Sequence, residues 1–154
     1  MKNILLLCCL TILSIGCIPS QAAPDGEELA YVHEFPNMTK DQIYDKSLMW
    51  LVETFGDSKS VIEIKDKDAG RIMGKGLSTI MDLIIARYFK YTILIEVKEG
   101  RARVQFKNLH GHDVPGVAGA VLGMLSHLKK AKSKLEALNG SYRQYMTSKS
   151  DNNW

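Results

Sequence analysis

The most explicit chemistry in the sequence would sit in Asp66-Lys67-Asp68-Ala69-Gly70-Arg71-Ile72-Met73-Gly74-Lys75-Gly76, where three glycines among basic side chains could cradle a phosphate. A P-loop needs four residues between its first glycine and the Gly-Lys pair. It also needs Ser or Thr for magnesium and a strand-to-helix passage that converges amides on the phosphates. The spacing from Gly70 to Gly74-Lys75 is one residue short, Gly76 replaces the hydroxyl, and no helix start follows. Turn chemistry accounts for the segment instead: Asp side chains bond nearby amides, and Gly70 is free to take positive φ. Gly74 and Gly76 then share one side of a strand, where a missing side chain lets a helix or neighbouring backbone approach.

Two further constellations remain, of which the first is the best surviving chemical candidate. In His110-Gly111-His112-Asp113 the histidines at i and i+2 point the same way from an extended chain, and Asp113 could complete three ligands of a zinc-like site. His33 or Glu34 is a candidate fourth ligand, and the simpler reading is a polar loop leaving the last strand. Ser126-His127-Leu128-Lys129 has the S-x-x-K form of a serine acyltransferase, but it lacks that class's companion motifs and falls within a lysine-rich helix. His33 shares its face with Leu29, Tyr31 and Phe35, as a hydrogen-bonded core or edge histidine would. Gly119 and Gly123 form a GxxxG, in an apolar run too short to span a membrane. No catalytic residue and no cofactor is expected from these patterns.

The elements that must position such residues read as an α+β domain. Leu29 to Phe35 alternates as a strand closing at Pro36-Asn37. Thr39-Lys40-Asp41-Gln42 is a capping box flanked by Met38 and Ile43 at staple positions. It opens a helix whose stripe is Ile43, Tyr44, Leu48, Leu51, Val52 and Phe55, with Gly56 as a left-handed stop. Strands follow over Val61 to Lys65, Arg71 to Leu77, Tyr88 to Lys98 and Arg101 to Leu109, the last two joined by Glu99-Gly100. Ser78 to Arg87, apolar without clean alternation, reads as strand continuing into loop. From Val117 a helical stripe runs through Val121, Met124, Leu128, Ala131, Leu135, Leu138, Tyr142 and Tyr145, interrupted at Asn139-Gly140. The order β-α-β-β-β-β-α predicts an antiparallel sheet of about five strands with two helices on one face. The other face, carrying Arg71, Met73, Lys75, Leu94, Arg101, Arg103 and Lys107, is left for water or a partner.

Several segments together carry a family resemblance: Lys40-Asp41-Gln42-Ile43-Tyr44, Trp50-Leu51, Phe55, Val61-Ile62, the whole Asp66 to Gly76 stretch, and Thr92-Ile93-Leu94-Ile95-Glu96-Val97-Lys98-Glu99-Gly100-Arg101. From about Tyr31 to Leu109 the chain resembles an uncharacterised bacterial envelope family, a domain of unknown function with a TBP-like fold. The resemblance implies that fold and transfers no catalytic residue. A fold name by itself implies no DNA binding.

At 154 residues there is room for one domain. Met1-Lys2-Asn3 followed by the apolar run Ile4 to Ile15 predicts a secretory signal peptide over residues 1–16, too short for a span, which takes ~20 apolar residues. All three cysteines, Cys8, Cys9 and Cys17, fall in the first seventeen residues, so no disulfide braces the mature fold. Leu13-Ser14-Ile15-Gly16-Cys17 resembles a bacterial lipobox, which implies a lipoprotein acylated on Cys17 with chains such as palmitate. Ile18, where an inner-membrane retention signal would show Asp, points to the outer membrane facing the periplasm. The alternative is cleavage near Ser20-Gln21-Ala22 or Ala23, releasing a soluble periplasmic or secreted protein. Residues 17–28 read as lipidated cysteine and flexible tether, 29–147 as the domain and 148–154 as a polar tail.

The net charge of +3, or about +2 without Lys2, is too small to argue for nucleic acid. The expected function is therefore that of a non-enzymatic, membrane-anchored envelope domain. It would bind an envelope protein or polymer through its open sheet face. The alternative is a metal-binding module or metal-dependent hydrolase built on His110, His112 and Asp113.

Overall fold

The structure, a computed structural model, describes residues 28–56, 61–82, 85–112 and 125–148. Strand β1 (Leu29–Glu34) leads into helix α1 (Lys40–Phe55), whose start is set by its own side chains. Thr39 Oγ1 accepts from the Gln42 amide at 3.3 Å, and Gln42 Oε1 accepts from the Thr39 amide at 2.9 Å, so two donors without helical partners are satisfied reciprocally. The apolar spacing turns Ile43, Tyr44, Trp50 and Leu51 inward, with Ser47 buried among them. The end of the helix differs from expectation: Gly56 keeps right-handed values, φ −55° and ψ −35°. There the glycine makes room, because a Cβ would stand 2.6 Å from the Val52 carbonyl oxygen.

Strands β2 (Val61–Asp66), β3 (Arg71–Asp82), β4 (Ile85–Lys98) and β5 (Arg101–His112) join β1 in one antiparallel sheet of order β1-β5-β4-β3-β2. Ser78 to Arg87 is not strand running into loop. Its described residues form the two arms of the β3–β4 hairpin, paired as far as Asp82 with Ile85. Alternation looks blurred there because the chain reverses within the window. β5 likewise runs past Leu109. Its register against β4 shifts between Lys90 and Thr92, and Asn108 takes φ 54°. This bulge changes the parity of the strand. Ala102, Val104 and Phe106 face the helices before it, and Leu109, 7% exposed, does so after it.

Helix α2 (Leu125–Thr147) passes through Asn139-Gly140 without a break. Buried Ala131, Leu135, Tyr142 and Met146 lie on the same sheet face as α1, above Ile72, Phe89, Tyr91, Ile93, Ile95, Val104 and Phe106. The two helices are also tied by polar contacts. Ser47 Oγ donates to the Ile43 carbonyl at 2.6 Å and lies 2.8 Å from the Tyr142 hydroxyl. Lys46 Nζ donates to the Met146 and Ser148 carbonyls at 3.0 and 2.7 Å, supplying a cation and donors at the negative end of α2. Trp50 meets Tyr142 edge to face at 5.1 Å. The predicted architecture, two helices on one face of a five-stranded antiparallel sheet, is the one observed.

Candidate functional site

The glycine-rich stretch is the β2–β3 turn and the strand that follows. The Ala69 amide donates to Asp66 Oδ1 at 2.8 Å, the Gly70 amide to the Lys67 carbonyl at 3.0 Å, and Gly70 has φ 65°. The Gly70 carbonyl accepts from the Val97 amide at 2.7 Å, and a Cβ at residue 70 would stand 2.5 Å from the Val97 oxygen. The Ala69 and Gly70 amides are thus used inside the protein, and none converges on a ligand. Gly76 makes room for a ring: a Cβ there would stand 2.3 Å from Cζ of Tyr91, its cross-strand neighbour. Lys75 is held by Glu63 at 2.7 Å.

Cross-strand register arranges the helix-free face in rows. One row runs Val32, Arg103, Glu96, Arg71 and Asp66, and the next runs Ala30, Gln105, Leu94, Met73 and Ile64. All seven residues expected on this face are on it. Glu96 is the hub of the first row. Arg103 Nε donates to its Oε2 at 2.9 Å, and Arg71 Nη2 lies 3.5 Å from Oε1. The Arg103 hydrogen bond, with the charges of Arg103 and Arg71, holds the Glu96 carboxyl below its ordinary range against a smaller opposing effect of burial. Farther along, Lys107 pairs with Glu28 at 3.3 Å, and buried Gln105 donates to the same carboxylate.

Beside Glu96 the face sinks into an open depression of about 660 Å³, lined by Lys40, Arg71, Lys98, Arg101 and Arg103 with Glu96, Glu99 and Val32. Lys98 and Arg101 are direct cross-strand partners, and among the described residues neither side chain makes an ion pair or hydrogen bond. Like charges so placed repel one another. The hairpin tip beside them is fixed: the Phe35 amide donates to the Gly100 carbonyl at 2.6 Å, the Gly100 amide to Met38 at 3.2 Å, and the Lys40 amide to Glu99 Oε2 at 2.9 Å. Gly100 takes the positive φ, 69°, that the two-residue connection requires.

Five of these lining residues, Lys40, Lys98, Glu99, Val32 and Glu96, are not among those predicted for the partner face. Val32, 60% exposed beside Arg103, alternates with core-facing neighbours and gave no signal apart from that alternation. Glu96 was legible as one polar-face residue, but its place between two arginines depends on the register of three strands.

The histidine cluster is not a loop. His110 lies in β5 opposite Lys90 on the helix-free face, exposed, with Nδ1 2.8 Å from the Asn108 carbonyl oxygen. The backbone of His112 pairs with Tyr88, and Asp113 lies outside the described residues. His33 and Glu34 are no fourth ligand, since they pair with Ala102 and Arg101, roughly 25 Å along β5 from His110 at ~3.3 Å per residue. His33 is the core-edge histidine expected, bonded through Nε2 to Asn139 Oδ1 at 2.8 Å. In the S-x-x-K stretch Ser126 is exposed in the first turn of α2, and His127 beside it is buried. Among the described residues no three His, Cys, Asp or Glu side chains group as metal ligands, and no helix is long and apolar enough to cross a membrane. Cys17, tether residues 18–27, Gly119, Gly123 and the helical residues predicted from Val117 to Met124 lie outside the described residues, whereas Glu28, read as the end of the tether, is held to the sheet by Lys107 and Gln105.

Comparison with known proteins follows the fold. The chain is similar to a crystal structure of a DUF4468 family protein from Bacteroides ovatus, with a TM-score of 0.69 and 14% identity over 88% of this chain and 95% of that one. It is also similar to a TBP-like protein from Parabacteroides distasonis, with a TM-score of 0.68 and 11% identity over 84% and 97%. At such identities the likeness concerns the fold alone. No curated protein matches the sequence. Residues 31–111 match the family described as domain of unknown function (DUF4468) with TBP-like fold, and the chain belongs to that family.

Proposed function

We propose that the protein is a non-enzymatic binding module of the bacterial cell envelope, anchored by lipid at Cys17, which holds a protein or envelope polymer on its helix-free sheet face. The carrying observation is the surface beside Glu96, where five cationic side chains meet two carboxylates and Lys98 and Arg101 stand opposite each other unpaired. Exposed Val32 and Ile64 on the same face add apolar area that folding leaves in water. Lipid anchoring rests on the lipobox resemblance around Cys17. Acyl labelling of cells should mark the chain and fail on Cys17→Ser.

A photo-crosslinking residue at Leu94 in intact cells tests the binding reading, with Lys129 on the exposed side of α2 as control. A discrete adduct from position 94, lost in Arg101→Glu/Arg103→Glu, is the expected result. Equal adducts from both positions, or none from position 94, would remove the sheet face from consideration.

A second reading, metal binding by His110, His112 and Asp113, draws on one contact. His110 Nδ1 against the Asn108 carbonyl would fix the tautomer that leaves Nε2 available. Equal metal content in the unaltered chain and in His110→Ala/His112→Ala would end it.

A further inference from the structure

Resting on the binding-module reading, we infer that the partner is a protein segment carrying acidic and apolar side chains together, its carboxylates bound in the depression at the β4–β5 hairpin end. Three observations set the chemistry. Arg71 and Arg103 share the single carboxylate of Glu96, so their guanidinium groups retain donors for a second anion. Lys98 and Arg101 are neighbours across the strands and lack any counter-ion among the described residues, an arrangement that an incoming carboxylate relieves. The adjoining row is apolar, with Ala30, Leu94, Met73 and Ile64 flanking Gln105, and Val32 stands in the charged row itself. A uniformly charged polymer or a bare phosphate uses the first two features and leaves the apolar row uncovered. An acidic-apolar peptide covers both.

The depression is also built to hold its shape. Its tip is bonded to the β1–α1 connection through Phe35, Met38 and Lys40, so little backbone ordering remains to be done on binding. Glu96 is the resident competitor. It occupies the inner faces of both arginines, and an incoming carboxylate meets its repulsion as well as their attraction.

The test is fluorescence anisotropy of the full chain in detergent with three labelled probes, an alternating Glu/Val hexapeptide, hexaglutamate and an alternating Lys/Val hexapeptide, and with inorganic pyrophosphate as an unlabelled competitor. Vesicles of phosphatidylglycerol, assayed by co-sedimentation with the unacylated Cys17→Ser chain in detergent-free buffer, complete the set. The Glu/Val peptide should bind saturably and best. Lys98→Glu/Arg101→Glu should weaken it by roughly tenfold or more. Leu94→Asn should weaken it and leave hexaglutamate unchanged. Glu96→Gln should tighten it about threefold by removing the competing carboxylate, a gain that damage to the fold would not produce. Equal or stronger binding of hexaglutamate, pyrophosphate or vesicles would overturn the inference in favour of a polyanion or a lipid surface, as would weaker binding by Glu96→Gln. Should crosslinking at position 94 succeed while the Glu/Val peptide fails, the binding module stands and the acidic-apolar partner falls.

Discussion

Asn139 Oδ1 lies 2.8 Å from His33 Nε2, joining helix α2 to the edge strand β1 across a gap that Phe35 and Tyr142 close with their rings. His33 is only 9% exposed, so the bond satisfies a polar group that water barely reaches. Asn139→Leu should therefore cost about 1–3 kcal/mol, as a buried donor or acceptor loses its partner. Urea denaturation midpoints measure this, and His33→Phe/Asn139→Leu should recover part of the loss if the unpaired imidazole is its cause.

The next residue behaves oppositely. Gly140 is exposed within the helix, and a Cβ there meets nothing within 4 Å. Gly140→Ala should stabilise the fold by about 0.5–1 kcal/mol through helix propensity and a less flexible unfolded chain. A midpoint that falls would show that the glycine serves something other than the helix.

Gly76 is the contrasting glycine. Gly76→Ala drives a methyl into the Tyr91 ring, whose atoms would lie 2.3 to 2.6 Å away. A loss of about 1–3 kcal/mol is expected, the usual range for overpacking. The double variant Gly76→Ala/Tyr91→Leu should lose less than the sum of its single changes, which a double-mutant cycle reads directly.

Burial pushes the Tyr142 hydroxyl up to about 12, against a smaller opposing effect of its Ser47 hydrogen bond. Burial raises Tyr91 as well. An unfolded tyrosine loses its proton near pH 10 while the folded one keeps it, so stability is complete below about pH 10 and falls as pH rises toward 12. For Tyr142 the loss is on the order of 2–3 kcal/mol. Tyr142→Phe should cost about 1 kcal/mol at neutral pH through the lost hydrogen bond and show a shallower decline in alkali. Denaturation series at pH 8 and pH 11 compare the two slopes.

Glu96 works at the acid end. Its folded value is depressed, so its contribution is present above the ordinary carboxylate range near pH 4.3 and is lost as pH falls through the folded value below that. Both arginines are half exposed, which keeps the effect within ~1 kcal/mol. Glu96→Gln should flatten the acid limb of the stability profile slightly and leave its alkaline limb unchanged.

What sequence could tell depended on the range of the interactions involved. The α1 start was legible because Thr39 and Gln42 satisfy each other within one turn, and the β2–β3 turn because Asp66 and Gly70 act on their own backbone. Features set by distant partners were not legible in the same way. Asn139-Gly140 reads as a helix break until His33 is placed beside it, and the extent of β5 is hidden by the bulge at Asn108. The candidate site divides likewise: its charged residues could be assigned to a face by alternation, but the Arg71–Glu96–Arg103 row and the Lys98–Arg101 juxtaposition exist only through pairing.

The first strand of the chain is built into the sheet by the last. β1 pairs with β5, Leu29 opposite Phe106, and is capped by Asn139 of α2, so the partners described for it belong to the C-terminal half. During synthesis, N-terminus first, β1 is made long before β5 and α2 exist for it to pair with. Closing so large a loop is slow relative to forming the β3–β4 and β4–β5 hairpins. Docking of β1 therefore waits on β5 and on the part of α2 that carries Asn139, and it marks the completion of the sheet.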